Sequence, residues 1–385
     1  MIIIIEDIFV SKLFLCFRGA FSWMIAIQIS IVWLSYPANT FAVEDTTAAE
    51  ISIWYGQHQY VPSAALAQPQ FNLLGRVIDK ESDVVALNYA VFHGDTKTAV
   101  RGGSINIGPH PLRSPSKVPF GPRRLYHRGD FNILIPKGVL QNGANRVAIQ
   151  AYNGAGRRSY TEVSLEYQGK LSQEELLPAQ FSLQENNQFQ VIDGHWSVKD
   201  GRIRTLQTGY DRLVALGDTS WDATDVKVSL VVHGIESGKR LPASGPRELG
   251  SACLISRWHG HTRKPNRCDQ PACGWLPAAA ELCLVVNNKR EMAFRLAIPG
   301  EKTPAMLTKK LAYKPGLVFG LRLQSTPRKN GETHYQARVW PKGTKEPKDW
   351  PLKVISKENT LPSGAVALRA HHLDSTFQHI EIKLK

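Results

Sequence analysis

Residues 225–232 read Asp-Val-Lys-Val-Ser-Leu-Val-Val, in which apolar side chains occupy every second position. Successive side chains of a β-strand point to opposite faces, so this period buries one face and turns the other toward solvent. The stretch therefore predicts a long strand with one face in a core. Runs of the same kind recur between turn residues, whereas helical periodicity is scarce. The sequence as a whole predicts an all-β protein.

The region before residue 170 contains six short strand patterns separated by turns rich in Gly and Asn. They cover residues 51–55, 71–77, 84–91, 131–135, 145–151 and 159–167. Short strands at this spacing are typical of an antiparallel sandwich. The segments Leu-Gly-Arg-Val (74–77), Arg-Gly-Asp-Phe (128–131) and Gly-Ala-Asn-Arg-Val (143–147) resemble bacterial immunoglobulin-like or cadherin-like domains. The resemblance implies an immunoglobulin-like (Ig-like) β-sandwich over residues 43–170, usually a spacer or an adhesive module.

Residues 171–185 separate this region from a second one that is also rich in strands. They contain the best helix start of the chain, Ser172 followed three residues later by Glu175, and we interpret them as a linker. Eleven further strand patterns follow between residues 186 and 385. That number exceeds a small sandwich and predicts a double-sheet jelly roll.

The quoted strand belongs to a set of segments with a recognisable order. They are Trp-Ser-Val-Lys-Asp-Gly (196–201), Leu-Gly-Asp-Thr-Ser-Trp (216–221), Tyr-Gln-Ala-Arg-Val-Trp (335–340), Ser-Gly-Ala-Val-Ala-Leu (363–368) and Phe-Gln-His-Ile-Glu-Ile (377–382). This set resembles the concanavalin A-like lectin and glucanase superfamily, especially laminin-G-like and 3-keto-disaccharide-hydrolase-like domains. The resemblance implies a concanavalin A-like jelly roll over residues 186–385. Such motifs determine a fold rather than a reaction.

Residues 1–42 have the composition of a secretion signal. Residues 19–35 are uncharged and largely apolar, and Thr40 and Ala42 are small enough for a signal peptidase, so we expect cleavage after Ala42. The alternative is an uncleaved membrane anchor, because the apolar run approaches the ~20 residues that span a bilayer. Both interpretations predict a periplasmic or extracellular protein.

Four cysteines follow the signal: Cys253, Cys268, Cys273 and Cys283. An even number in an oxidising compartment predicts two disulfides. Cys253 and Cys283 both lie in apolar strand patterns, which favours pairing them and leaves Cys268 with Cys273 in the loop between. The alternative is a zinc site of all four thiolates, although its usual signature has two closely spaced pairs.

The formal net charge of the chain is +14. A strongly basic exported protein attracts polyanions, so we expect an acidic polysaccharide, or else a neutral one, as the partner. Nucleic acid is disfavoured outside the cell, and contact with a membrane is expected only through an uncleaved signal. The basic residues are dispersed, and the alternative is that they only keep the protein soluble.

The residues best suited to ligand binding follow the predicted strand 252–258. Arg257, Trp258, His259 and His261 open a long loop that continues to Trp275. Aromatic rings stack on sugars, an arginine pairs with a carboxylate or sulfate, and alternating histidines on an extended segment point the same way. We therefore expect a ligand-binding loop. The alternative is that the two tryptophans cover an edge of the core.

Catalysis has weaker support in the sequence. The glucanases of the superfamily resemble one another in a Glu-x-Asp-x-x-Glu strand, which is absent from this chain, and Glu281 is the only acid in a comparable strand. Jelly-roll polysaccharide lyases resemble one another in strands bearing Arg, His and Tyr. The catalytic candidates are Arg257, His259, His261, Tyr335 and Arg338, whose spacing differs from that of those lyases.

Two pairs of residues are candidates for metal ligation. Asp218 and Asp222 flank Trp221, and oxygen ligands in such loops often hold Ca²⁺ in the superfamily. His372 and Asp374 lie in the predicted closing hairpin, where the alternative is solvated loop polarity. Calcium is the cofactor that these residues lead us to expect.

These patterns predict an exported glycan-binding protein that recognises an acidic polysaccharide through its second sandwich. Whether the protein is an enzyme stays open; a polysaccharide lyase or glycoside hydrolase on the same scaffold is then expected. A structural or adhesion protein is a further alternative.

Overall fold

A computed structural model describes residues 45–61, 69–109, 124–168, 189–217, 219–236, 248–261, 270–271, 279–307, 311–356 and 361–384. Every regular element in these ranges is a β-strand except the 3-10 turn Lys137–Val139, which confirms the all-β fold. The predicted signal at 1–42 and linker at 171–185 lie outside them. No helical segment in the described ranges has the length and apolarity needed to cross a bilayer.

The first eight strands form a sandwich of two sheets. They are β1 (Glu50–Ile53), β2 (His58–Val61), β3 (Gln70–Ile78), β4 (Val84–His93), β5 (Arg101–Ser104), β6 (Asp130–Pro136), β7 (Gly143–Asn153) and β8 (Arg158–Tyr167). A sheet in the order β1-β3-β6 packs against one in the order β2-β8-β7-β4-β5. Leu73 and Ile133 from the first sheet and Val147, Ile149 and Val163 from the second are buried between them. We call this unit the first sandwich; its Ig-like character stays a prediction.

Fifteen strands in the described ranges form the second sandwich. They are β9 (Phe189–Asp193), β10 (Trp196–Lys199), β11 (Arg202–Thr205), β12 (Arg212–Leu216), β13 (Thr224–Ile235), β14 (Glu248–Trp258), β15 (Ala280–Asn287), β16 (Glu291–Ala297), β17 (Ala305–Met306), β18 (Leu311–Ala312), β19 (Leu317–Pro327), β20 (Thr333–Pro341), β21 (Leu352–Ser356), β22 (Ala365–His371) and β23 (Leu373–Leu384). One sheet has seven strands in the order β10-β11-β23-β13-β19-β20-β21. The other has eight, in the order β17-β16-β15-β14-β22-β12-β9, with β18 also paired to β16.

Strand β13 contains the alternating stretch quoted above and behaves as its period predicts. Val226, Val228, Leu230 and Val232 are fully buried in the core between the two sheets, whereas Lys227 lies on the partly exposed outer face. Burial of one such apolar side chain stabilises by about 1.5–3 kcal/mol, so this strand face contributes roughly 6–12 kcal/mol before the entropy of chain ordering is subtracted.

The central strands of the eight-stranded sheet are buried on both faces. In β14 every residue from Gly250 to Trp258 is buried. Leu254 faces the core between the sheets, while Cys253 and Ile255 face outward into a second apolar cluster. This outer face changes from apolar to charged toward Arg369, and the candidate site lies there.

The two sandwiches belong to one compact unit, Asp45–Lys385, and meet through buried polar groups. Nη1 of Arg124 donates to both carboxylate oxygens of Asp193, each at 3.1 Å. Nδ2 of Asn132 donates to Oδ1 of the same carboxylate at 2.9 Å. Removing one partner of a buried pair leaves an uncompensated charge and costs about 3–5 kcal/mol, so these bonds fix how the sandwiches join.

Gln270 makes a second connection, from the β14–β15 loop to the outer edge of β6. Its side-chain oxygen accepts a hydrogen bond from the Leu134 amide at 2.7 Å. Its Nε2 donates to the Leu134 carbonyl at 2.9 Å and to the Tyr89 hydroxyl at 3.0 Å. The side chain thus pairs with β6 as a neighbouring strand would.

Candidate functional site

A cavity of about 480 Å³ opens on the outer face of the eight-stranded sheet. Its polar lining consists of Tyr210, Asp211, Glu248, Glu281, Arg295, Arg369 and His371, and its apolar lining of Ala279, Ala297, Ile298 and Pro299. We call it the sheet cavity. Concave sites with a few converging polar groups are the usual form of small-ligand sites in proteins.

Strand register explains why these residues meet. Arg369 on β22 lies opposite Cys253 on β14, which lies opposite Cys283 on β15, and Cys283 lies opposite Arg295 on β16. Residues directly opposite one another share a face of the sheet. The row therefore places one arginine on either side of the two cysteines.

Cys253 and Cys283 form a disulfide, with 4.1 Å between their Cα atoms. This is the pairing that the strand patterns favoured. The sulfurs are bonded to each other, so neither offers a thiolate to a zinc ion, which disagrees with the alternative of a four-cysteine site. Cys268 and Cys273 lie outside the described residues, and their pairing stays a prediction.

Arg369 joins two carboxylates beside this disulfide. Its Nη2 donates to Oε2 of Glu281 at 3.2 Å and to Sγ of Cys253 at 3.1 Å. Its Nη1 lies 3.5 Å from Oδ1 of Asp211. The three charged side chains are at most 14% exposed, so water screens these contacts weakly.

Asp211 also accepts a hydrogen bond from Nδ1 of His371 at 3.0 Å. The ring of Tyr210 packs edge-on against His371, with 4.9 Å between the ring centroids. At the rim, Arg295 and Glu248 form a second ion pair at 3.4 Å. The sheet cavity therefore presents an aromatic ring, an imidazole and two paired arginines.

The pKa values of Glu281 and Asp211 are shifted in opposite directions. Burial raises the pKa of Glu281, and the charge of Arg369 offsets only part of that effect. Burial also disfavours the charged form of Asp211, but the hydrogen bond from His371 and the charge of Arg369 outweigh it and lower the pKa to about 2. Environments that move two acids apart in this way separate a proton donor from a permanent anion.

Arg212 stabilises the turn that contains Tyr210 and Asp211. Gly209 and Asp211 both have positive φ, +148° and 45°. The buried Arg212 side chain donates to the carbonyl of Thr208 at 3.2 Å and, in the first sandwich, to the carbonyl of Arg124 at 3.0 Å. A Cβ at position 209 would lie 2.4 Å from Nη2 of Arg212, so only glycine fits there.

The first sandwich makes a further contact with this turn. A ring nitrogen of His127 donates to the Thr208 carbonyl at 2.8 Å. Tyr126 packs edge-on against His372, with 5.4 Å between ring centroids, and the amide of His372 donates to the Gly209 carbonyl at 2.8 Å. The geometry of the sheet cavity thus depends on both sandwiches.

The loop residues predicted to bind a ligand are mostly buried. Arg257 is fully buried with φ +58°, and its guanidinium donates to Thr333 Oγ1 at 2.9 Å and to the carbonyls of Leu361 and Asp222. Trp258 is also fully buried. These side chains join neighbouring segments and offer no surface to a polymer, so a ligand contact by either has no support in the geometry.

The two histidines of that loop separate. His259 is exposed, whereas the side chain of His261 is 1% exposed, packs edge-on against Trp258 and lies 3.4 Å from Oδ2 of Asp193. The expectation that both point the same way is therefore wrong, because the chain turns inward at Gly260, where φ is +86°. Trp275 lies outside the described residues, and a role for His259 in binding stays a prediction.

The other weak catalytic candidates do not reach the sheet cavity. Tyr335 is buried in the core, with its ring 5.8 Å from Cζ of Arg257. Arg338 lies on the seven-stranded sheet, where its guanidinium stacks on Trp350 at 3.7 Å and pairs with Glu346 at 3.3 Å. The structure thus brings neither of them to His259.

The candidate metal ligands are also apart. His372 bonds to Glu236, and Asp374 pairs with Arg204 at 3.1 Å, so both already have protein partners. Asp222 is exposed, while Asp218 lies outside the described residues. A calcium site at these positions stays a prediction.

Sequence reasoning missed Asp211, Arg369 and His371 as members of one site. His371 and Asp211 are 160 residues apart in sequence, and no local motif joins them. The usable signal was the register of the β12, β22 and β14 strands, which only the fold supplies.

Comparisons with known proteins give structural likeness only. No protein-family model and no curated protein matches the chain. Solved structures that are similar include the PL-14 alginate lyase from Aplysia kurodai (9% identity, 49% of this chain and 86% of that chain, TM-score 0.29). They include the VIP36 exoplasmic/lumenal domain bound to Ca²⁺ and Man3GlcNAc (10%, 56% and 90%, 0.30) and the endo-β-1,4-glucuronan lyase from the fungus Trichoderma reesei (12%, 55% and 93%, 0.26). At such TM-scores the likeness carries no argument about function.

Proposed function

We propose that this protein binds a polysaccharide in the sheet cavity. The observation that carries the proposal is the fixed arrangement of Arg369 between Asp211 and Glu281, next to the imidazole of His371 and the ring of Tyr210. Saccharide recognition needs hydrogen-bond donors and acceptors at fixed positions and an aromatic ring for the apolar face of the sugar. The sheet cavity supplies both.

An acidic polysaccharide is the class that the charge of the chain favours. The net charge of +14 raises the local concentration of a polyanion around the protein. Inside the sheet cavity, however, both arginines already contact carboxylates of the protein. We therefore assign recognition of sugar hydroxyls to the cavity and general attraction of the acidic chain to the basic surface.

The test uses a variant of Tyr210, which lines the cavity and is only partly buried. Tyr210→Ala removes the ring without leaving a buried charge unpaired. The matched control is Tyr160→Ala, because Tyr160 is 61% exposed on the first sandwich. Affinity electrophoresis in gels containing polygalacturonate, alginate or neutral glucan measures retention.

Retention of the wild type and the Tyr160 variant, with a loss of about tenfold in affinity for the Tyr210 variant, supports the proposal. Equal retention of all three proteins places binding outside the cavity and contradicts it. Absence of retention of the wild type in every gel contradicts saccharide binding altogether.

An enzyme acting on an acidic polysaccharide is the second candidate. The arrangement favours it, because Asp211 accepts a hydrogen bond from one ring nitrogen of His371 and so orients the other as a base, while burial raises the pKa of Glu281 in the direction that a proton donor needs. Either a lyase or a hydrolase needs such a pair. Incubation with polygalacturonate and alginate, followed by ultraviolet absorbance of unsaturated products and by new reducing ends, detects the two reactions.

Glu281→Gln is the diagnostic variant, because it keeps the shape of the side chain and removes the proton. Product formation by the wild type and its loss in this variant, with retention unchanged, supports the enzyme. Retention without products supports binding alone.

A further inference from the structure

A second cavity, of about 250 Å³, lies on the outer face of the seven-stranded sheet. We call it the basic cavity. Lys199 on β10 lies opposite Arg202 on β11, which lies opposite Gln378 on β23. Two pairs further along, and therefore on the same face, Arg204 lies opposite Thr376. Opposite residues share a face, so register alone gathers three cations from β10 and β11 on the outer surface of the sheet, beside Thr376 and Gln378 of β23.

The cations of the basic cavity differ from those of the sheet cavity in their partners. Arg204 pairs with Asp374 at 3.1 Å. Lys199 and Arg202 are exposed, and in the described part of the chain their side chains form no ion pair or hydrogen bond. In the sheet cavity, by contrast, Arg369 and Arg295 both contact carboxylates. An incoming anion therefore finds uncompensated positive charge only in the basic cavity of the two.

Neutral polar groups complete the lining. The Thr376 hydroxyl bonds to a ring nitrogen of His233 at 2.8 Å, and Gln378 and Ser197 line the same cavity. Amide and hydroxyl groups beside two cations suit a sugar that carries both hydroxyls and an anionic group. Asp200 is the single carboxylate among the lining residues that the structure describes, and it leaves the lysine and the arginines in excess.

We infer that the basic cavity is a second polysaccharide site, which binds a carboxylate or sulfate group of an acidic chain through Lys199 and Arg202. The inference shares only the class of ligand with the proposed function and stands whether or not the sheet cavity binds a sugar. β10 is the edge strand of its sheet, so a polymer can enter the cavity from the side of the molecule.

The lining distinguishes a polysaccharide from a nucleic acid. Proteins that bind single strands without sequence preference stack successive bases on aromatic side chains. Among the described residues, the lining of the basic cavity includes no Phe, Tyr or Trp. Charge attraction to phosphates would remain, but no stacking platform would add to it.

The test compares two double variants with the same change in charge. Lys199→Gln/Arg202→Gln removes the two cations of the basic cavity that have no partner among the described residues. Lys342→Gln/Lys345→Gln is the control, because Lys342 and Lys345 are exposed in the loop between β20 and β21, at the other end of the same sheet. All four side chains are exposed, so thermal unfolding should be unchanged in both variants.

The probes are two matched pairs of polymers, measured by titration calorimetry at low salt. Polygalacturonate is compared with its fully methyl-esterified form, and dextran sulfate with dextran, so that each pair differs only in the anionic group. We expect the Lys199/Arg202 variant to lose about tenfold in affinity for one or both anionic polymers, and the control variant to change by less than about twofold. A loss of affinity for polygalacturonate identifies a carboxylate as the recognised group, and a loss for dextran sulfate identifies a sulfate.

Three results would overturn the inference. An equal loss in the two double variants would show that net charge alone attracts the polymer. Equal binding of the anionic and neutral members of both pairs by the wild type would show that no anionic group is recognised. Tighter binding of oligothymidylate than of either anionic polysaccharide, lost in the Lys199/Arg202 variant, would assign the cavity to nucleic acid.

The same titrations separate this site from the sheet cavity. Tyr210→Ala, combined with Lys199→Gln/Arg202→Gln, should show both losses, because the cavities lie on different sheets. If Tyr210→Ala has no effect while the Lys199/Arg202 variant keeps its tenfold loss, the proposed function fails and the basic cavity stands.

Discussion

Nη2 of Arg369 lies 3.1 Å from Sγ of Cys253 and donates a hydrogen bond to it, so the disulfide contacts the guanidinium that joins Asp211 and Glu281. The cross-link therefore supports two properties at once. It closes a loop of the second sandwich, and it fixes the floor of the sheet cavity.

Cys253→Ala/Cys283→Ala tests the first property. The disulfide joins residues 30 positions apart, so its removal should lower the free energy of unfolding by about 3–4 kcal/mol in the loop-entropy estimate. Urea unfolding without reductant measures the difference from the wild type. With reductant, which opens the Cys253–Cys283 disulfide of the wild type, the difference should fall to the packing change of about 1 kcal/mol. A difference that reductant leaves unchanged would contradict the role of the cross-link.

Gly209→Ala tests the turn that carries Tyr210 and Asp211. The new Cβ would meet Arg212 at 2.4 Å in a backbone conformation that L-residues avoid, so we expect a loss of roughly 2–4 kcal/mol and weaker polysaccharide binding. Gly156→Ala is the control, because φ there is +78° and nothing lies within 4 Å. It should cost only about 1 kcal/mol and leave binding intact. Equal losses of stability and of binding in the two variants would contradict the steric explanation.

Asp211→Asn tests the buried anion. The pKa of Asp211 is about 2 in the folded protein, below its ordinary value of 3.8, so the ionised form is stabilised by folding. This contribution is present above the unfolded pKa and disappears as the pH falls through the folded one. We expect the variant to be less stable than the wild type by roughly 2 kcal/mol near neutral pH, and the gap to close between about pH 4 and pH 2. Chemical unfolding across this pH range measures the difference in stability between the two proteins. A difference that stays constant with pH would contradict a lowered pKa of Asp211 in the folded protein.

Glu281→Gln should give the opposite dependence. Burial raises the folded pKa of Glu281, so the folded state holds a proton that the unfolded chain releases above its ordinary value of 4.5. Wild-type stability should therefore fall as the pH rises from the unfolded pKa through the folded one, and the Gln variant should lack this slope. The stability of the variant relative to the wild type must then increase with pH. A decrease over the same range would show that Glu281 is ionised by folding instead.

Gln270→Leu tests the connection between the sandwiches. It removes three hydrogen bonds to Leu134 and Tyr89 and leaves buried backbone groups unpaired, which should cost about 2–4 kcal/mol. Gln59→Leu is the matched control, because the Gln59 side chain makes an exposed bond to the Gly56 carbonyl. Its effect should stay below about 0.5 kcal/mol. Urea unfolding measures the loss of stability in each variant. Similar losses in the two would contradict a stabilising role of the Gln270 hydrogen bonds.

The fold could be predicted from strand patterns because each pattern depends on residues that are close in sequence. The alternation in 225–232 predicted β13, and two apolar runs of strand type predicted the pairing of Cys253 with Cys283. Each of these inferences needs only neighbouring residues or two strands that face each other. The charge of the chain likewise pointed to polyanions before any register was known.

The site residues depend on information that a strand pattern does not hold. Arg257 resembles a surface arginine in a loop, yet a positive φ turns it inward onto carbonyl groups from distant segments. Arg369 and Asp211 resemble ordinary strand-end polar residues until the order of β12, β22 and β14 is fixed. Long-range register therefore decides which charges meet, and a sequence read from end to end does not contain it.

The amide of Gln270 occupies the Leu134 backbone at the open side of β6, the last strand of its sheet. An exposed edge strand is a template on which a second molecule can add its own strand, which is a common beginning of aggregation. One side chain from the other sandwich blocks that position. The contact between Gln270 and β6 thus also protects this edge from pairing with a second molecule. Partial separation of the two sandwiches would expose the edge before either core unfolds.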